Sequence, residues 1–200
     1  MILQAIKAGW SGMVRMLLNK TQQQPLLALA QASIAYGLEH GRAVPVNLDE
    51  YARELKVLRA TFVTLEIKQQ LRGCVGMLEP IRPLVVDIAE NAVAAAFQDP
   101  RFPPLSTSEY PQLEIYLSIL GPTELMQFDS EADLIAQLRP HIDGLIIQDG
   151  SYRGTFLPSV WASLTEPDAF LQHLKQKAGL PYDYWSNTLT VSRYQCQIIP

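Results

Sequence analysis

Two glycines flank a cysteine in Leu71-Arg72-Gly73-Cys74-Val75-Gly76, inside what reads as a β-strand. Just upstream, Ala60-Thr61-Phe62-Val63-Thr64-Leu65-Glu66-Ile67 is rich in β-branched and aromatic residues and has no Gly or Pro, the composition of a strand. The polar connection Lys68-Gln69-Gln70 joins the two runs into an antiparallel hairpin. Glycine weakens a strand and belongs where another backbone or a ligand comes close. The two glycines therefore mark either a bulge or a place where something approaches this strand closely. Cys74 has two readings: a small buried hydrophobe between glycines that make room for packing, or a thiol held at a site, with the Arg72 cation two residues away.

The remaining pattern mixes strands and helices without a regular strand–helix–strand beat. A helix is expected from Leu26 to Glu39, opened by Pro25, with His40 in its last turn and Gly41 as C-cap. Asn47 caps a second helix to Leu58, with Glu50 placed for a capping box. A third runs from Leu84 to Gln98 with a small-residue face at Ala92, Ala95 and Ala96, and Asn91 expected to face solvent or bond locally. Leu113–Leu120 alternates as a strand. Ser130 and Asp133 open a short helix to Arg139, and Gly144–Gln148 and Arg153–Leu157 flank the turn Asp149-Gly150-Ser151. Pro167 opens the clearest helix, which Gly179 stops, and Thr188–Ile199 reads as one last strand. Several hairpins and few crossovers predict an α+β fold: a mixed, largely antiparallel sheet with helices.

Residues 1–24 stand apart. They carry Lys7, Arg15 and Lys20 and no acid, and Leu3, Ile6, Trp10, Met13, Val14 and Leu17 share a helical face. They read as a basic amphipathic N-terminal extension rather than a signal peptide. Residues 25–200 are expected to form the main domain.

Composition narrows function by exclusion. The 48% hydrophobic and 18% charged fractions belong to a folded globular chain. A net charge of −4 gives no reason to expect nucleic acid, which usually needs a basic patch, and no apolar run approaches the roughly twenty residues of a membrane span. Cys74 and Cys196 form no Cys-x-x-Cys pair, which fits a reducing, cytoplasmic setting. His40, His141 and His173 lie far from either cysteine in sequence, so no zinc set is expected. Phosphate-loop, dinucleotide-binding and zinc-helix motifs are absent from the sequence, and no cofactor is implied.

What remains is Cys74 with candidate partners Arg72, Asp99, Arg101, His141 and Arg153. In Asp99-Pro100-Arg101-Phe102-Pro103-Pro104-Leu105 three prolines stiffen the loop that holds Asp99 and Arg101. Either the loop tethers backbone at a corner, or it presents a fixed carboxylate and guanidinium to a cleft. A cysteine nucleophile also needs a base, and His141 is the histidine best placed for it.

These segments together resemble the AMMECR domain family. The likeness rests on Phe62–Leu65, on Leu71–Gly76, on Ala94–Leu105, on Asp143-Gly144-Leu145, on Thr155–Trp161, and on Phe170 through Leu180. It covers about Pro25 to Pro200 and leaves the basic N-terminal residues outside. The bacterial and archaeal members are called AmmeMemoRadiSam system protein A, which implies Memo-like and radical S-adenosylmethionine companion proteins. The resemblance further implies an intracellular α+β domain of two lobes with the cysteine signature near a cleft, and it implies no particular reaction. Two functions stay open: a small-ligand or partner-binding domain with a cleft around Cys74, or a cysteine-dependent enzyme using Cys74 as nucleophile or redox thiol, with Arg72, Asp99, Arg101 and His141 in support.

Overall fold

The computed structural model describes residues 17–200. The stripe of Leu3, Ile6, Trp10, Met13 and Val14 lies outside the described residues. In chain order the elements are α1 (Lys20–His40), β1 (Thr61–Ile67), β2 (Gln70–Gly76), α2 (Leu84–Phe97), β3 (Glu114–Leu120), β4 (Glu124–Leu125), α3 (Glu131–Gln137), β5 (Gly144–Asp149), β6 (Tyr152–Phe156), α4 (Pro167–Lys177), β7 (Thr190–Tyr194) and β8 (Cys196–Ile199). They divide into two compact units: residues 17–120 with Gln197–Pro200, and Gly121–Cys196. Each has its own four-stranded sheet, in the orders β2-β1-β3-β8 and β4-β7-β5-β6. The α+β class and the two lobes are as the sequence predicts.

In the first unit α1 and α2 pack on each other, and α2 packs on β1 and β2. The core joins Leu26, Ala30 and Ile34 of α1 to Val63 and Leu65 of β1, Leu84, Ile88, Ala92 and Ala95 of α2, and Leu117 and Ile119 of β3. α1 starts at Lys20, earlier than Pro25, because Asn19 and Gln22 complete a reciprocal capping box: Asn19 Oδ1 accepts from Gln22 N and Gln22 Oε1 from Asn19 N, each at 3.0 Å. Gly41 ends α1 at φ 68, as expected of a C-cap. His40 stacks on Tyr36 at 3.9 Å, a structural role.

The single helix expected over Asn47–Leu58 is instead two 3₁₀ turns, Leu48–Glu50 and Arg53–Leu55. Downstream pairing pulls this chain straight: Leu58 bridges to Pro83, and Leu84 N–H donates to Val57 C=O at 2.9 Å. Asn91, expected to face solvent or bond locally, is buried and bonds locally as well as across to β1. Its amide donates to Asp87 Oδ2 at 2.9 Å, Thr61 Oγ1 at 3.0 Å and Thr61 O at 3.1 Å.

In the second unit Trp161 stacks on Phe170 at 3.7 Å, and its Nε1 donates to Asp143 O at 2.7 Å. Leu145, Ile147 and Val191 of the sheet and Leu171 and Leu174 of α4 complete that core. Lys175 is fully buried and donates to Glu131 Oε1 at 2.5 Å. The expected last strand is two, β7 and β8, which belong to different sheets.

Candidate functional site

At Gly73 the close approach is made by α2, and at Gly76 by Thr61 and Phe62 of β1. A Cβ on Gly73 would stand 2.1 Å from the carbonyl oxygen of Ala95, so only glycine lets the small-residue face of the helix settle on the strand. This fulfils the packing reading of Gly73. Side chains alternate across a strand, so Cys74 points to the opposite face of the sheet and is half-buried there.

On that face Cys74 stands directly opposite Thr64 of β1, and Thr64 opposite Tyr116 of β3. Thr64 Oγ1 donates to Cys74 Sγ at 3.3 Å. The row Cys74, Thr64, Tyr116 thus crosses three strands on one surface.

β2 lies at the edge of its sheet, where a strand leaves N–H and C=O groups unpaired. The proline-stiffened loop supplies the missing partners. Cys74 N–H donates to Asp99 Oδ2 at 2.8 Å, and Arg101 Nη2 donates to Cys74 O at 3.1 Å. Asp99 and Arg101 hold each other: Nη2 to Oδ2 at 2.6 Å and Nε to Oδ1 at 2.9 Å, with Arg101 N–H on Oδ1 at 3.1 Å. The Arg101 guanidinium, helped by the two backbone N–H groups, holds the Asp99 carboxyl far below the usual carboxylate range. In return the Asp99 hydrogen bonds raise Arg101.

Arg72 is aimed by an irregularity in the strand. Leu65 pairs with Gly73 and Glu66 with Leu71, so Arg72 is the extra residue of a β-bulge. Its Nε donates to Glu109 Oε1 at 2.8 Å, and its Nη2 to Glu109 Oε2 at 3.2 Å and Pro103 O at 3.0 Å. Arg72 and Arg101 lie over the Phe102 ring at 5.9 and 5.5 Å. Arg72, followed by the Ser106 backbone and hydroxyl donors, lowers Glu109 to about 2. Glu109 and Thr64 are site residues that motif reading did not single out. Thr64 was accessible from the hairpin register; nothing local marks Glu109.

The structure thus sets Asp99 and Arg101 on the Cys74 backbone and on each other, and Arg72 on Glu109 and Pro103, with none of these hydrogen bonds on the sulfur. His141 belongs to the second unit, on the exposed turn between α3 and β5, at φ 64. Arg153 is in that unit too, on β6. Burial pushes the other thiol, Cys196, up to about 12. Among the described residues no three His, Cys, Asp or Glu side chains are grouped to hold a metal ion, and no helix is long and apolar enough to cross a membrane.

Two sheets flanked by helices, with a cysteine strand clasped by an aspartate–arginine loop, define the class of protein. The family model for AMMECR1 matches residues 27–199, and the chain belongs to that family. A protein of Methanothermobacter thermautotrophicus is 36% identical over 187 residues, covering 90% of this chain and 95% of its own length. One of Methanocaldococcus jannaschii is 35% identical, covering 86% and 91%. The crystal structure of an uncharacterised protein from Pyrococcus horikoshii superposes with a TM-score of 0.84 at 32% identity, over 90% of this chain and 92% of that one.

Proposed function

We propose that this AMMECR1-family chain is a binding domain, and that its recognition surface is the sheet face bearing Cys74, Thr64 and Tyr116. One observation carries the reading. The polar groups gathered at Cys74 fix its backbone: Asp99 takes its N–H and Arg101 takes its C=O, while Arg72 gives Nε and Nη2 to Glu109 and Pro103 and keeps a buried Nη1 without a partner among the described residues. A nucleophile's neighbours act on the reacting atom; these build a rigid platform beneath it. Preorganised surfaces of this kind suit recognition, because little ordering entropy is lost on binding. The partners this reading commits to are Memo-like and radical S-adenosylmethionine companions, the proteins named with the family's prokaryotic members, in a cytoplasmic setting.

The competing reading makes Cys74 a nucleophile or redox thiol with His141 as base, and thiol alkylation separates the two. Native protein is alkylated across a pH series and each cysteine followed by peptide mass, with the denatured chain as reference. Cys196, half-buried like Cys74 but with its thiol pushed up by desolvation, forms thiolate less readily, and peptide mass tells the two labels apart. A binding domain gives a Cys74 rate near neutral pH no faster than the denatured thiol, and Tyr116→Ala abolishes co-purification with a Memo-like companion while the fold persists. A Cys74 rate that plateaus well below the ordinary thiol range, and falls with His141→Ala, overturns the reading in favour of the enzyme.

A further inference from the structure

Away from the cysteine strand, the first unit holds a polar cavity of about 370 Å³ between the end of α1 and the flank of α2. Its walls include Arg42, Arg82, Glu90, Asn91 and Gln98. The floor is rigid. Arg82 grips the fully buried Asp87 through Nη2 at 2.8 Å and Nε at 3.0 Å. Asp87 in turn accepts from Thr61 N–H at 2.9 Å, Thr61 Oγ1 at 2.6 Å and Asn91 Nδ2 at 2.9 Å. Arg42 is held at the rim, its guanidinium 5.3 Å from the Tyr36 ring centroid and Nη2 donating to Tyr36 Oη at 2.9 Å. Glu90 is exposed and makes no hydrogen bond or ion pair among the described residues.

The charges sort by sign. Asp87 balances Arg82, which leaves Arg42 as the open cation and Glu90 as the open anion. The α1 C-terminus at Gly41 adds the negative end of a helix to the same wall. A simple anion entering here meets Arg42 but is repelled by Glu90, and a simple amine meets the reverse. A small molecule carrying both charges satisfies both. The volume is at the small end of ligand sites, enough for one amino acid with a polar side chain against the Gln98 amide.

We propose that this cavity binds a free α-amino acid, its carboxylate on Arg42 and its ammonium on Glu90. The probe is L-glutamine, followed on the full chain by saturation-transfer NMR, with the other standard amino acids as a panel. The expected result is saturable binding of at least one amino acid at up to about 20 mM, the range a few polar contacts support. 4-Carbamoylbutyrate, which lacks the ammonium, and inorganic phosphate bind about tenfold more weakly or worse, since each forfeits a charge-assisted hydrogen bond. Glu90→Gln weakens the amino acid about tenfold and strengthens 4-carbamoylbutyrate, whose repulsion by Glu90 is relieved; Arg42→Met weakens both. Circular dichroism confirms that each variant is folded. The absence of saturable binding across the panel, phosphate binding as tightly as the amino acid, or a Glu90→Gln variant with wild-type affinity overturns the proposal.

Discussion

Replacing Asp99 with asparagine keeps the shape of the side chain and removes its charge. The wild-type carboxylate accepts hydrogen bonds from Cys74 N, Arg101 N, Arg101 Nε and Arg101 Nη2. A hydrogen bond to a charged group is worth about 1 kcal/mol more than a neutral one. The Arg101 side chain is 53% exposed, so water recovers most of its share; the two backbone donors against a side chain only 3% exposed do not recover theirs. The expected cost is about 2 kcal/mol, a large part of the stability of a small domain. That corresponds to an opening equilibrium about 30-fold more favourable. Hydrogen exchange of the Cys74 amide reads it locally, through a peptide spanning residues 70–77. The pH dependence has a definite sign. The Asp99 carboxyl is held below its ordinary value in the folded chain, so its contribution is complete above the unfolded pKa of about 3.9 and is lost as pH falls toward the folded value. The gap between wild type and Asp99→Asn should be constant from about pH 5 to 8 and close below about pH 4. Equal exchange at neutral pH, or a gap that persists in acid, would refute the clasp.

Gly73→Ala forces a Cβ to 2.1 Å from the Ala95 carbonyl oxygen, which is backbone and cannot rotate away. The urea midpoint should fall by the equivalent of about 3 kcal/mol; a neutral effect would mean that α2 does not seat on β2 as described. Arg59 is buried, its Nε has no partner, and burial alone lowers its pKa. Arg59→Met should therefore leave thermal stability unchanged or raise it by about 1 kcal/mol, and a loss of more than about 1 kcal/mol would show that the guanidinium is held by contacts of its own.

Elements announced by their own residues were legible in the sequence. The hairpin β1–β2 followed from composition, its turn taken by Lys68 and Gln69 at φ 52 and 62. Pro167 and Gly179 bracketed α4, and Asp149-Gly150 marked the β5–β6 turn. The misses arise where a distant partner overrides local preference. Nothing in residues 47–58 reveals that Leu58 will bridge to Pro83 and straighten a helix-like run. Nothing in 188–199 reveals that Gly121 N–H will take the carbonyl of Gln195 between β7 and β8. Of the two places open to Asn91, solvent or a local bond, it takes the local bond to Asp87 because α2 buries more than one stripe: Val85, Asp87, Ala89 and Asn91 are inside along with the small-residue face. A helix covered on most sides has no solvent face from which to read its polar positions.

The site shows the same division in sharper form. The sequence offers Arg72, Asp99, Arg101, His141 and Arg153 as partners of Cys74; Asp99 and Arg101 bond its backbone, Arg72 bonds Glu109 and Pro103, and His141 and Arg153 belong to the second unit. It could not say which atoms they would reach, because that depends on the direction of the Cys74 N–H and C=O. β2 is an edge strand, so those groups point outward, and an edge residue needs one acceptor and one donor side by side. An aspartate and an arginine two residues apart on a proline-stiffened loop meet that need geometrically, without reference to any reaction. The conjunction of Leu-Arg-Gly-Cys with Asp-Pro-Arg-Phe is thereby explained by strand pairing: Arg72 bulges out to anchor the loop through Glu109, and the loop closes the edge beside it. Gly73 lets the helix seat behind the strand. Each conspicuous residue of the motif is accounted for by holding this strand in place, except the one side chain the motif presents outward. Among the described residues Thr64 is the group that hydrogen-bonds the Cys74 sulfur, which also interacts electrostatically with Arg101; on that atom the choice between recognition and catalysis turns, and measuring its reactivity tests that choice directly.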